Sequence, residues 1–401
     1  MPSPSENTRN DVKSAITDYL NDHESEMLAF LKDLVLTQSG TRHKAGVDRV
    51  GRWIAQTLTP LALSVALHPE ETFGDILSVR TPAVKDGGNI LVVGHMDTVF
   101  PADTAFNWFR EEGNRVRGPG VIDMKGGLVV IVYALKALGQ VGALTRLPIH
   151  CIFNPDEEVG SPVSGPLISA EAKRSVMAFV AECGGLNGEV VTGRKGRLGF
   201  KLAFHGKGGH AAFARAGKAS AITEMAHKIL RLEGLNGYVE GLTVNVGQLQ
   251  GGIGPNTVAE EAAAWVDVRF MSAEGENAFM ARLDEILDRP DVAGTAVKVE
   301  SLSRRPPMAQ TAGNRALFDV ASTQAEALGI SIGEEYRYGV SDANRIAAEN
   351  TPVLDGLGPI GDQDHSDREY MVRRSLVERC QLLALSLLEA WWSYERGTLF
   401  R

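Results

Sequence analysis

Cysteine is scarce. The three thiols, Cys151, Cys183 and Cys380, are too few and too scattered in 401 residues for a disulfide framework or a thiolate-built zinc site. Their odd number suits a reducing compartment. A basic excess is also missing: 50 acidic residues against 41 basic ones give a net charge of −9, with no basic patch of useful length, so nucleic acid is not an expected partner. No apolar run approaches the length that spans a bilayer, which argues against a membrane partner. Residues 1–10 are polar and lack the apolar stretch of a secretory signal, so the expected location is cytoplasmic. Two families of catalytic loop are absent as well. No Gly-x-Ser-x-Gly elbow occurs, and Cys151, the cysteine with a histidine beside it, sits inside an apolar strand, which disfavours a side-chain nucleophile. Gly206-Lys207-Gly208-Gly209 and Gly252-Ile253-Gly254 complete neither a dinucleotide nor a Walker loop.

What is present is an ordinary globular balance in a chain long enough for two domains. Apolar spacing predicts helix over 11–36 and 47–58, and strands over 76–79 and 90–93. A glycine-rich turn, Gly118-Pro119-Gly120-Val121-Ile122-Asp123-Met124-Lys125-Gly126-Gly127, opens an apolar helix over 128–138. Strands ending before Asp156 and at 180 follow, with a short helix between them. Strands alternating with helices argue for a mainly parallel sheet flanked by helices. From 197 to 302 the order becomes strand, helix, strand, strand, helix, strand, the ferredoxin-like α+β signature. Ser303-Arg304-Arg305-Pro306-Pro307 then reads as a stiff linker back to a second helix–strand segment that ends in a long helix over 374–394. The expected organisation is an α/β domain built from 1–193 and 307–401, with 194–306 inserted.

Two apolar strands run into residues of metal-ligand type. Asn89-Ile90-Leu91-Val92-Val93-Gly94 leads to His95-Met96-Asp97, and Leu147 to Pro155 leads to Asp156-Glu157-Glu158. Burying charge is costly unless it is paired or holds a metal. In an extended segment His95 and Asp97 share a side, so the Asp can accept from the other nitrogen of a ligating imidazole. Of the paired glutamates, one can ligate while its neighbour serves as a general base; a solvated acidic turn accounts for one Glu but poorly for three acids directly after a buried strand. Asp123 at a helix start could equally be an N-cap. Glu182 ends the next strand, and His365 sits in a polar loop far along the chain.

His95-Met96-Asp97-Thr98-Val99-Phe100-Pro101, the Asp123 turn, Asp156-Glu157-Glu158-Val159-Gly160-Ser161, Glu182 and His365-Ser366-Asp367 together resemble the dinuclear zinc exopeptidase and deacylase family, in order and over nearly the whole chain. The likeness is greatest to its glutamate carboxypeptidase branch. The resemblance implies an exopeptidase-like catalytic domain with an inserted dimerisation or lid domain. It implies two Zn2+ per subunit, with Co2+ or Mn2+ as possible substitutes. Asp123 would bridge the two ions, His95 and Glu182 would complete one site, and Glu158 and His365 the other. Asp97 would orient His95, Glu157 would be the general base for a zinc-activated water, and the Asp123–Met124 bond would be cis.

In the inserted segment, Gly206-Lys207-Gly208-Gly209-His210-Ala211-Ala212 could be no more than a flexible turn. The resemblance makes His210 an oxyanion donor that reaches the partner subunit's site, and so implies a homodimer through the inserted domain. Asn256, after Pro255, matches a substrate contact of the family or is simply a turn former. Arg269 and Arg305 are candidates for binding a substrate carboxylate, although an exposed strand arginine is equally common. Gly339-Val340-Ser341-Asp342-Ala343 matches a family loop near the site, with Ser341 where threonine is frequent. The implied substrate is a dipeptide or N-acyl amino acid with a free α-carboxylate, such as a C-terminal glutamate. An N-acyl-diamino-acid deacylase of the acetylornithine or succinyl-diaminopimelate type is the alternative. A non-catalytic binding or scaffold relative would be expected to have lost Glu157 or a ligand.

Overall fold

The computed structural model describes residues 6–213 and 218–400; the polar amino-terminal stretch lies partly outside them. The chain divides into two compact units. The larger comprises Met1–Gly193, Gln310–Tyr336 and Ser341–Arg401, and the smaller comprises Arg194–Ala309 and Arg337–Val340.

The larger unit is organised on a six-stranded sheet in the spatial order Ser64–His68, Ile76–Arg80, Ile149–Asn154, Asn89–His95, Ser175–Val180, Val353–Leu354. The last four strands run parallel, and the first two join antiparallel. Every residue of Asn89–His95 and Ile149–Asn154 is buried, because parallel strands covered on both faces need unbroken apolar runs. Helix Lys125–Gln140 packs on Asn89–His95 and against the final helix, Ser375–Glu395. Its first turn requires glycine: a Cβ on Gly127 would collide with the Ala181 carbonyl oxygen. The helix start is thereby drawn against the end of a neighbouring strand.

The smaller unit carries an antiparallel sheet in the order Thr243–Gly251, Glu261–Phe270, Gly196–His205, Ala296–Arg305. With helices Ala221–Glu233 and Ala273–Leu287, the chain order is β-α-β-β-α-β, the ferredoxin-like arrangement. Burial alternates along Glu261–Phe270, placing Ala262, Ala264, Val266, Val268 and Phe270 in the core with Phe200, Phe204 and Phe279. That core also encloses an ion pair. Lys228 Nζ lies 3.2 Å from Glu224 and donates to the carbonyls of Ile286 (2.6 Å) and Arg289 (2.8 Å).

Several expectations need correcting. The helical pattern over 11–36 is two helices, Glu6–Asp22 and Glu24–Leu36, parted at His23, whose ring stacks on Tyr19 at 3.9 Å. Residues 303–305 are not linker: they extend the last strand, where Arg304 and Arg305 pair with Leu198 and Arg197. The strands Ser64–His68 and Val190–Arg194 were not anticipated. Among the described residues, no helix is long and apolar enough to cross a membrane.

Candidate metal centre

His95 is the last residue of its strand, Asp156-Glu157-Glu158 follows Ile149–Asn154, and Glu182 follows Ser175–Val180. All three come from carboxyl ends of parallel strands, the edge at which open α/β sheets bind ligands. Asp123 enters from the glycine-rich turn before helix Lys125–Gln140, and the Asp123–Met124 peptide is cis. His365 enters from a loop in which its own φ is +56°.

The two carboxylate oxygens of Asp123 have different partners. Oδ1 lies 2.9 Å from His95 Nε2, which is 3.7 Å from Glu182. Oδ2 lies 3.1 Å from His365 Nε2, which is 3.3 Å from Glu158. The structure thus brings His95, Asp123, Glu158, Glu182 and His365 into one cluster. Single donor atoms of His95, Asp123 and Glu158 fall within 4.8 Å of one another, as do those of Asp123, Asp364 and His365. Asp364 was not foreseen from the sequence.

The electrostatics favour a cation here. Burial opposes charge on His95, but hydrogen bonds to Asp123 and Asp97 outweigh it and hold the imidazolium pKa well above normal. Hydrogen bonds to Asp123 and then Glu158 raise that of half-exposed His365 to about 11. Asp123 is lowered despite its burial by the two imidazoles. Glu158 is pushed up to about 8 by burial and the neighbouring Asp123 charge, and its Oε1 is buried without a hydrogen-bond partner. An orphaned carboxylate oxygen beside two imidazoles and further carboxylates fits a divalent metal.

Asp97 is fully buried beneath the cluster. His95 Nδ1 is 3.0 Å from its backbone carbonyl oxygen and 3.3 Å from its carboxylate. The same carboxylate accepts from Thr41 Oγ1 (2.8 Å) and from the Glu157 (3.2 Å) and Glu158 (3.3 Å) N–H groups. One residue therefore orients His95 and also anchors the 3-10 turn Glu157–Val159.

Behind that turn, Asp156 accepts from Val163 N–H (2.7 Å), Ser164 N–H (3.3 Å) and the Ser164 hydroxyl. Asp342 accepts from Asn154 Nδ2 (2.8 Å) and Ser161 Oγ (2.5 Å). Ser341 caps the helix carrying Asp342 with a full capping box, in which its hydroxyl accepts a backbone N–H and Asn344 returns the bond.

The remaining candidates lie in the smaller unit. His210 and Asn256 are brought together: His210 pairs with Thr257 in a two-stranded ribbon, and the Asn256 carbonyl accepts from Ala211 N–H at 2.8 Å. The His210 ring is exposed, and its Nδ1 accepts from Ala212 N–H at 3.2 Å. Arg269 donates to Asp267 at 2.8 Å and to the Tyr338 carbonyl at 3.4 Å. Arg305 is buried in its strand.

The sequence reading missed Glu369, whose buried carboxylate accepts from three N–H groups of the Asp123 turn. It also missed buried Lys125, whose Nζ donates to the Thr37 carbonyl at 2.9 Å. The only signal for Glu369 was an acidic residue placed immediately before the strand Tyr370–Val372.

Comparison with known proteins agrees with this geometry. The profile of Peptidase family M20/M25/M40 matches residues 91–389. Carboxypeptidase G2 of Pseudomonas sp. (strain RS-16) is 30% identical over 373 residues, spanning 92% of this chain and 89% of that protein. Aminopeptidase PepT from Bacillus cereus ATCC 10987 superposes with a TM-score of 0.76 at 24% identity, covering 91% of this chain and 98% of that one. The Bacillus subtilis YXEP protein, a dinuclear metal binding peptidase from the M20 family, gives 0.67 at 14% identity, covering 92% and 99%. The chain belongs to Peptidase family M20/M25/M40 and is a metallohydrolase acting on peptide bonds.

Proposed function

We propose that the protein is a dinuclear zinc exopeptidase or aminoacylase that removes an amino acid with a free α-carboxylate from a dipeptide or N-acyl amino acid, with C-terminal glutamate a favoured case. The observation that carries this reading is the division of Asp123, one carboxylate oxygen toward His95 and Glu182 and the other toward His365 and Glu158. His95 and Glu182 would hold one ion, Glu158 and His365 the other, and Asp123 both. Imidazole and carboxylate donors suit zinc, and Co2+ or Mn2+ could substitute. Bound there, the metals polarise the scissile carbonyl and acidify water.

The chain's own residues do the rest. Glu157 accepts the proton of the attacking water and returns it to the amine nitrogen as the C–N bond breaks. Asp97 keeps His95 in the orientation that offers Nε2 to the site. His210 donates a hydrogen bond to the developing oxyanion, acting on the site of the second subunit of a homodimer formed through the inserted unit. Asn256, beside it, contacts substrate, and Arg269 and Arg305 are the guanidinium candidates for its carboxylate.

The test combines metal analysis with a screen of dipeptides and N-acyl amino acids, scored by released amine. About two zinc ions per subunit and turnover abolished by chelation are expected. Full turnover in metal-free protein would overturn the proposal. Turnover confined to N-acyl-diamino acids would overturn the substrate assignment in favour of a deacylase.

A further inference from the structure

Glu369 lies four residues beyond His365 in the same segment, and its side chain is fully buried. Its carboxylate accepts from Gly120 N–H (2.8 Å) on Oε2, and from Ile122 (2.8 Å) and Asp123 (3.2 Å) N–H groups on Oε1. Within that turn, Val121 and Lys125 N–H groups bond to the Gly118 and Gly120 carbonyls, while those of Gly120, Ile122 and Asp123 point to Glu369. Gly118 and Gly120 sit at φ +159° and +75°, conformations that glycine adopts without the cost a side chain would bring. Three amide N–H groups converging on one carboxyl group make a directional contact. They join segments 249 residues apart, of which one carries Asp123 and the other His365.

We propose that Glu369 is a positioning residue for the metal centre. It clamps the Asp123 turn against the His365 loop, so that the two oxygens of Asp123 face His95 and His365 at once. This rests on the metallopeptidase reading, because positioning matters only if those ligands share metal ions. Hydrogen bonds between the ligand side chains act on Asp123 at its carboxylate, whereas Glu369 holds the main chain beneath it.

The test is Co2+ titration of the full-length, metal-stripped protein, read by the visible absorption of bound cobalt, on wild type, Glu369→Gln and Glu369→Ala. Gln keeps the shape and one acceptor oxygen but puts an NH2 group where Oε2 met Gly120. Its Co2+ affinity should fall about 10-fold, and that of Ala about 100-fold, with altered absorption bands. A residue important only for folding would lower the melting temperature and leave the cobalt affinity and spectrum of folded protein unchanged. That result in both variants overturns the proposal. If Glu369→Ala does not fold, Glu369→Gln decides by the same criterion. Failure of wild type itself to take up Co2+ and cleave peptide would overturn the metallopeptidase reading and this proposal together, and is recognised in the wild-type sample alone.

Discussion

Glu157 and Glu158 are adjacent carboxylates in different surroundings, for which separate tasks are proposed. Glu158 is buried with one unpartnered oxygen and one facing His365, whereas Glu157 sits half-buried in a 3-10 turn whose N–H rests on Asp97. Glu157→Gln should therefore retain metal yet lose about 10²–10⁴-fold in kcat, checked by metal analysis beside steady-state rates; near-normal turnover would refute its assignment as base. Asp156, which had no role in the sequence, is the internal anchor of the acidic turn. Asp156→Ala strands two N–H groups and a hydroxyl, at a cost of at least about 1–3 kcal/mol by urea unfolding. The acidic triplet was legible because three charges directly follow an apolar strand. Glu369 was not, because its partners are backbone amides, which every residue type offers alike.

The same contrast holds among the elements. Asn89–His95 and Ile149–Asn154 were readable as strands since burial on both faces demands continuous apolar sequence. Ser64–His68 was hidden because all five of its residues are exposed and no face needs apolar side chains. The extension through Arg304 and Arg305 is fixed by pairing with Gly196–His205, a partner too distant in sequence to be seen locally. In the smaller unit, helix Ala221–Glu233 is tied to the segment after helix Ala273–Leu287: Lys228 reaches the Ile286 and Arg289 carbonyls and Asp291, and Glu224 accepts from Val292 N–H. Lys228→Ala removes the counter-charge that buried Glu224 shares with Asp291 and should destabilise by about 3–5 kcal/mol in urea melts, with metal affinity unchanged. Burial works against the Glu224 carboxylate, but donation from Val292 and Asp291 N–H and from Lys228 prevails and lowers its pKa below 4.5. A depressed carboxylate stabilises the fold above its unfolded pKa. Its contribution is present above about pH 4.5 and lost as the pH falls through the lower folded value. Wild type minus Glu224→Gln, followed through acid unfolding, should show the difference shrinking in that window.

For the whole molecule, metal and assembly are the variables to move. Zinc that binds only the folded chain should raise the melting temperature in step with concentration, by about 2.7 kcal/mol of stability at one hundred times its Kd, and chelation should reverse the gain. If His210 serves the partner subunit, a heterodimer of His210→Ala with Asp123→Ala chains should recover part of the activity that each homodimer lacks; no recovery in a verified heterodimer would refute action in trans. The division of Asp123 between two histidines has one more consequence, for biosynthesis. His95, Asp123, Glu158 and Glu182 all precede the inserted unit, whereas His365 and the edge strand Val353–Leu354 follow it. A nascent chain must therefore emerge from the ribosome beyond residue 365 before the second oxygen of Asp123 can meet its histidine. On the proposed ligand set, a chain that stalls or is clipped before residue 365 should be inert toward peptides rather than a stray protease.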